Sequence, residues 1–114
     1  MKILVCGDRL WTDKELIRKV LKEYPVDTIF EGEAPGADTL ARIVAGELGI
    51  TVDPYPALWR LYGNAAGPIR NRKMLDQKPD LVLAFHDNIK VSKGTADTIR
   101  EARRRGIPWR IVSH

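Results

Sequence analysis

The segment Leu81-Val82-Leu83-Ala84-Phe85, together with Val91-Ser92-Lys93-Gly94-Thr95-Ala96-Asp97 after it, decides the fold of this chain. The first segment is a short, continuous apolar run, which is typical of a central strand buried on both faces. The second predicts the start of a helix that runs to about Arg105. This second segment offers what a phosphate group needs: flexible backbone, hydroxyl donors, a cation and the positive end of a helix dipole. We therefore predict an anion-binding loop formed by Ser92, Lys93, Gly94 and Thr95.

Four more apolar runs alternate with helical patterns along the chain. The runs predict strands at residues 2–6, 26–31, 50–56 and 107–112, and the helical patterns cover about 12–24, 38–48, 67–76 and 94–105. Residues 57–66 lack periodicity, and we interpret them as a functional loop with a helical turn. This alternation predicts a single α/β domain over residues 1–114. The expected architecture is a Rossmann-like, doubly wound, parallel five-stranded sheet of order 3-2-1-4-5, with helices on both faces.

The carboxyl ends of the first and fourth strands lie at the topological switch point of such a sheet, where ligands bind. Gly7, Asp8 and Arg9 follow the first strand and are therefore candidate ligand-binding residues. Gly7 allows close approach of a ligand, and Arg9 is able to hold a phosphate or carboxylate. A tight turn with a solvated arginine is the equally weighted alternative.

Two further candidates, Gly36 and Asp38, follow the second strand. Gly36 permits contact between the backbone and a ligand. Asp38 lies in the first turn of its helix, where an acid stabilises the helix dipole. Stabilisation of the helix is by itself sufficient to explain an aspartate at position 38, and ligand binding is the alternative role.

Arg70 and Asn71 are the candidates on the third helix. Cations in the first two turns of a helix oppose its dipole, which hints at an anionic ligand. Arg72 and Lys73 are more simply interpreted as a solvated face. The arginines of residues 100–105 lie towards the end of their helix, where cations are favourable, so a structural role outweighs a nucleic-acid patch there.

Composition narrows the range of functions. The chain has 114 residues, 44% of them hydrophobic and 30% charged, as in ordinary globular domains, and no apolar run reaches the length of a membrane span. The single cysteine, Cys6, excludes an internal disulfide, and no leader pattern is evident, so a cytoplasmic location is expected. One cysteine and two separated histidines predict no metal site, and the order of a Walker A loop is absent.

Four segments together resemble a known family. They are Gly7-Asp8-Arg9, Gly32 to Asp38 with Ala41, Gly67-Pro68-Ile69-Arg70-Asn71-Arg72-Lys73-Met74, and Ser92 to Asp97 with Arg104-Arg105-Gly106-Ile107-Pro108. This set resembles the YspA-type, YpsA-related branch of the SLOG superfamily, small Rossmann-like domains common in bacteria and their phages. The superfamily includes the LOG phosphoribohydrolases, the DNA-binding DprA proteins and predicted sensors of nucleotide signals.

The resemblance implies a nucleotide or NAD-derived ligand above Gly94, flanked by Gly7 and Arg9 and contacted by Arg70 and Asn71. We expect no metal or other cofactor. Relatives with this fold often self-associate, so a homo-oligomer is compatible with the sequence. The leading hypothesis is a small domain that senses or sequesters a phosphate-bearing nucleotide.

The second hypothesis is a nucleotide N-glycosidic hydrolase with Arg70 and Asp97 as the catalytic pair. LOG enzymes carry a glutamate in the loop P-G-G-x-G-T-x-x-E, and here Thr98 stands at that place, with Asp97 one residue earlier. This departure favours binding over turnover. The third hypothesis is a nucleic-acid binder that uses the arginine clusters, consistent with the net charge of +4.

Overall fold

A computed structural model describes residues 1–114, which form five strands and five α-helices. The strands are β1 (Lys2–Gly7), β2 (Thr28–Glu31), β3 (Thr51–Pro54), β4 (Leu81–Phe85) and β5 (Trp109–Val112). The helices are α1 (Lys14–Leu21), α2 (Ala37–Leu48), α3 (Trp59–Tyr62), α4 (Ala66–Asp76) and α5 (Lys93–Arg104). Short 3₁₀ turns lie at Gly63–Ala65 and Ile89–Val91.

The five strands form one parallel sheet in the order β3-β2-β1-β4-β5, which confirms the predicted topology. Strand β4 is buried along its whole length, as its continuous apolar run requires. The proline-ended strand β3 lies at an edge. Gly7 pairs with Phe85 at the carboxyl ends of β1 and β4, so the loops after these two strands begin side by side.

Apolar side chains pack against both faces of the sheet. On one face Ile3 and Val5 of β1 join a cluster with residues of α1 and α2, including Ile17 and Val44. On the other face the clustered residues include Leu4, Cys6, Met74, Leu75, Ile99 and Ala102, which come from β1, α4 and α5. Helices therefore cover both faces, as predicted. No helix has the length and apolar character needed to cross a membrane.

Several element boundaries differ from the prediction. Helix α5 begins at Lys93 rather than Gly94, because Ser92 caps it. Strand β5 begins only at Trp109, since Pro108 takes part through its carbonyl oxygen alone, which accepts the N–H of Val82. The segment 57–66, which was predicted as a loop with a helical turn, is mostly α3 and a 3₁₀ turn.

Candidate functional site

The N-terminus of α5 presents backbone donors to solvent at the carboxyl edge of the sheet. The Ser92 side-chain oxygen accepts the N–H of Thr95 at 3.2 Å, and its carbonyl oxygen accepts the N–H of Ala96 at 3.1 Å. The N–H groups of Lys93 and Gly94 have no acceptor inside the helix. Both residues are exposed, and a Cβ added to Gly94 would meet no atom within 4 Å. The predicted loop thus has free donors at an exposed surface.

Replacing Ser92 by alanine should remove this cap. We expect the free energy of unfolding of Ser92→Ala to fall by about 1 kcal/mol, because the Thr95 N–H loses its acceptor. Denaturant unfolding followed by circular dichroism would measure the change. A Ser92→Asp variant, which keeps a capping oxygen, should retain most of the stability, whereas equal losses in both variants would contradict the role of the cap.

Arg70, Asn71 and Asp97 form a continuous polar chain between α4 and α5. The Arg70 Nε donates to Asn71 Oδ1 at 2.9 Å, and the Asn71 Nδ2 donates to Asp97 Oδ2 at 3.2 Å. The other end of the guanidinium, Nη1, donates to the carbonyl oxygen of Gly32 at 2.7 Å. The structure therefore links the two predicted catalytic residues through a buried asparagine.

Arg72 also contacts Asp97, with Nη1 at 3.4 Å from Oδ2, and its Nη2 lies 3.8 Å from Glu101 Oε2. Its interpretation as part of a solvated face needs correction, since it is half-buried and paired. Thr98 is buried and donates its hydroxyl to the carbonyl oxygen of Gly94 at 3.1 Å. The residue at the position of the LOG glutamate therefore bonds within its own helix.

Asp38 organises the loop after β2. Its Oδ2 accepts the N–H groups of Gly32 at 3.0 Å and Ala34 at 3.3 Å. Burial raises the pKa of Asp38 to about 6, against the lowering effects of the Ala34 amide and of Arg70. Burial also lowers the pKa of Arg70 and raises that of the Cys6 thiol beneath them. Asp38 thus holds backbone in place, a role different from that of a dipole partner alone.

Gly7 and Gly36 are in close contact with other parts of the chain. A Cβ on Gly7 would lie 2.3 Å from the carbonyl oxygen of Phe85. A Cβ on Gly36 would lie 2.3 Å from the carbonyl oxygen of Asp8 and 2.4 Å from the backbone of Arg9. Packing within the chain therefore explains both glycines. Their contact with a ligand stays a prediction.

Asp8 faces a histidine across the switch point. His86 is buried, and its Nδ1 accepts the N–H of Asn88 at 2.9 Å, so a neutral ring carries its proton on Nε2. That Nε2 lies 4.0 Å from Asp8 Oδ2, whereas Asp8 Oδ1 accepts the N–H of Leu10 at 2.9 Å. Arg9 beside them is exposed and forms no ion pair. Its guanidinium is thus available to an anion.

Glu31, the last residue of β2, is a buried polar residue that sequence reasoning missed. It is fully buried, its Oε2 accepts the N–H of Glu33 at 2.5 Å, and its Oε1 has no hydrogen-bond partner. Burial raises the pKa of Glu31 to about 7. The available signal was an acid directly at the carboxyl end of an apolar strand.

Two of the four arginines near the end of α5 are paired with acids. Glu101 accepts bonds from Arg104 at 2.5 Å and from Arg105 at 3.1 Å, and Arg105 also reaches Asp76 at 2.7 Å. These pairs agree with a structural role for Arg104 and Arg105. Arg100 and Arg103 are exposed and unpaired.

The comparisons with known proteins agree with this architecture. An X-ray structure of DNA processing protein A (DprA) from Streptococcus pneumoniae is similar over 96% of this chain, with a TM-score of 0.53 and 16% sequence identity. At this identity the likeness concerns the fold alone, and the chain spans 58% of that DprA chain. No curated protein matches the sequence.

A family model gives the assignment. It is described as YspA, cpYpsA-related SLOG family, and it matches residues 1–62, which is more than half of the chain. The match includes the loops after β1 and β2, and it ends before Arg70 and the loop at Gly94. The chain therefore belongs to the YspA, cpYpsA-related SLOG family.

Proposed function

We propose that this domain binds a phosphate-bearing nucleotide or an NAD-derived ligand at the carboxyl edge of the sheet, as a sensor or sequestering domain. One observation carries the proposal: the N–H groups of Lys93 and Gly94 are free at the start of a twelve-residue helix, at two exposed residues. Free amides at the positive end of a helix dipole attract phosphate. The Lys93 side chain is exposed and unpaired, and it adds a mobile cation.

Other cationic side chains also favour a negatively charged ligand. Arg9 is exposed, and Arg70 uses Nε and Nη1 within the protein while its Nη2 makes no protein hydrogen bond. A guanidinium held by two bonds is preorganised to donate its remaining N–H groups to an anion. Membership of a SLOG family is consistent with a nucleotide-related role.

The expected result of a ligand screen is thermal stabilisation by at least one of AMP, ADP-ribose and NAD⁺. Lys93→Ala and Arg70→Ala should each weaken that binding roughly tenfold, because each removes a charge-assisted contact. Differential scanning fluorimetry followed by isothermal titration calorimetry would measure both effects. Arg103→Ala is the matched control, since Arg103 is exposed and unpaired at the other end of α5. Equal affinities in all four proteins would refute the proposed site.

Identification of the ligand needs a separate experiment. Mass spectrometry of small molecules released from the denatured, purified protein would detect a nucleotide that copurifies with it. The Lys93→Ala protein, purified in parallel, should release less of the same molecule. A molecule without phosphate, released equally from both proteins, would redirect the assignment of the ligand.

Hydrolysis of an N-glycosidic bond is the second candidate function. It is favoured by the polar chain that joins Arg70 to Asp97, since a carboxylate held by Asn71 and Arg72 is oriented to act on a bound sugar. This candidate predicts release of free base from AMP or NAD⁺ and its loss in Asp97→Asn. Chromatography of the reaction mixture would detect the base, and intact nucleotide after long incubation would exclude turnover of these substrates.

A further inference from the structure

An open groove lies between the end of β3, helix α3 and helix α4. Its volume is about 290 Å³, close to the lower limit of about 300 Å³ for pockets that bind small molecules. Tyr55, Tyr62, Ile69, Arg70 and Lys73 line it, together with two prolines. Its size suits one ring system with a small substituent.

Tyr55 forms a wall that is fixed before any ligand arrives. Its ring packs edge-on against Phe30, with the ring centroids 5.9 Å apart at an interplanar angle of 82°. Its hydroxyl donates to Asp53 Oδ2 at 3.1 Å. Because both ends of the side chain are held, a planar ring that stacks on it costs little ordering of the protein.

One cation at the groove has no acidic partner. Lys73 Nζ lies 5.8 Å from the centroid of the Tyr62 ring, and no carboxylate lies within ion-pair distance of Lys73. The groove therefore combines apolar walls with an exposed cation that forms no ion pair.

We propose that this groove binds a planar aromatic ring that carries one anionic group, of the class of aryl phosphates and aromatic carboxylates. The ring packs between Tyr55 and Ile69, and the anionic group reaches Lys73. The same chemistry is present in a free aromatic anion and in the base and phosphate of a nucleotide. The proposal does not depend on ligand binding at the start of α5.

Titration of the ¹⁵N-labelled protein with phenyl phosphate, inorganic phosphate and AMP tests the proposal. Phenyl phosphate should shift the amide signals of Tyr55, Ile69 and Lys73, whereas inorganic phosphate should shift them far less. Lys73→Ala should weaken phenyl phosphate binding about tenfold, and Lys19→Ala, which removes an exposed and unpaired cation on α1, should leave it unchanged. The signals of Tyr55, Ile69 and Lys73 report on the groove and those of Gly94 and Thr95 on the loop, which separates the two sites in the same titration.

The AMP titration distinguishes the two sources of the ligand. Shifts of the groove amides and of Gly94 in one transition would assign the groove to the base of a nucleotide, and groove shifts with phenyl phosphate alone would assign it to a free aromatic anion. Two results would overturn the proposal. One is the absence of groove shifts with phenyl phosphate, and the other is an equal response to inorganic phosphate.

Discussion

Gly36→Ala should lower the free energy of unfolding by about 3 kcal/mol or more. Gly36 has φ +75° and ψ −123°, a backbone conformation that alanine adopts only with strain. The added Cβ would lie 2.3 Å from the carbonyl oxygen of Asp8, and backbone there cannot move aside as a flexible side chain does. If the two loops moved apart to relieve this clash, the 3.0 Å hydrogen bond from the Ala37 N–H to the carbonyl oxygen of Asp8 would also break.

Gly46→Ala is the matched control for this prediction. Gly46 lies in the same helix, and a Cβ there would meet no atom within 4 Å. Alanine should therefore stabilise the protein by about 0.5–1 kcal/mol. Urea unfolding of both variants measures the difference. A Gly36→Ala protein as stable as the wild type would show that the loops after β1 and β2 do not pack as described.

Glu31→Gln should change how stability depends on pH. Burial raises the pKa of Glu31 from its ordinary value of 4.5 to about 7 in the folded protein. Between these two values the unfolded chain releases the proton and the folded chain retains it. The contribution of this carboxyl to stability is therefore present below pH 4.5 and is lost as pH rises to about 7. The loss amounts to about 3 kcal/mol at most.

Charged groups near Glu31 also affect how the stability of the wild-type protein depends on pH. Asp38 on α2 and Glu33 in the following loop raise the pKa of Glu31, and Arg42 on α2 lowers it. The difference between the wild type and Glu31→Gln isolates the single group, and urea unfolding from pH 4 to 8 measures it. Relative to the wild type, the variant should gain stability as pH rises. A difference that stays constant with pH would contradict the burial of an ionisable carboxyl.

The sheet was predictable because its strands carry distinct signals. The continuous apolar runs of β1 and β4 mark central strands, and Pro54 marks β3 as an edge. The start of α5 was also predictable, because Ser92, Lys93 and Gly94 are adjacent in sequence. Helix α3 was not predictable in its full extent, because its side chains are exposed and leave no apolar period.

The site was only partly predictable, because its contacts join distant segments. Sequence spacing gives no sign that the Arg70 guanidinium bonds the carbonyl oxygen of Gly32, thirty-eight residues away. The requirement for glycine at position 36 was recognised, but the sequence does not distinguish a ligand from another stretch of backbone as the neighbour. The sequence likewise does not show that Glu31 is buried with an unpartnered Oε1, because this depends on how the loop after β2 folds.

The central claim is that the free amides at the start of α5 bind the phosphate of a nucleotide. The most direct measurement is the change in amide chemical shifts when the ¹⁵N-labelled protein is titrated with AMP, ADP-ribose and NAD⁺. We expect at least one of them to shift the signals of Lys93, Gly94 and Thr95 most strongly, in a saturable one-to-one transition that Lys93→Ala weakens. The absence of any such shift with all three nucleotides would contradict it, as would shifts confined to other parts of the protein.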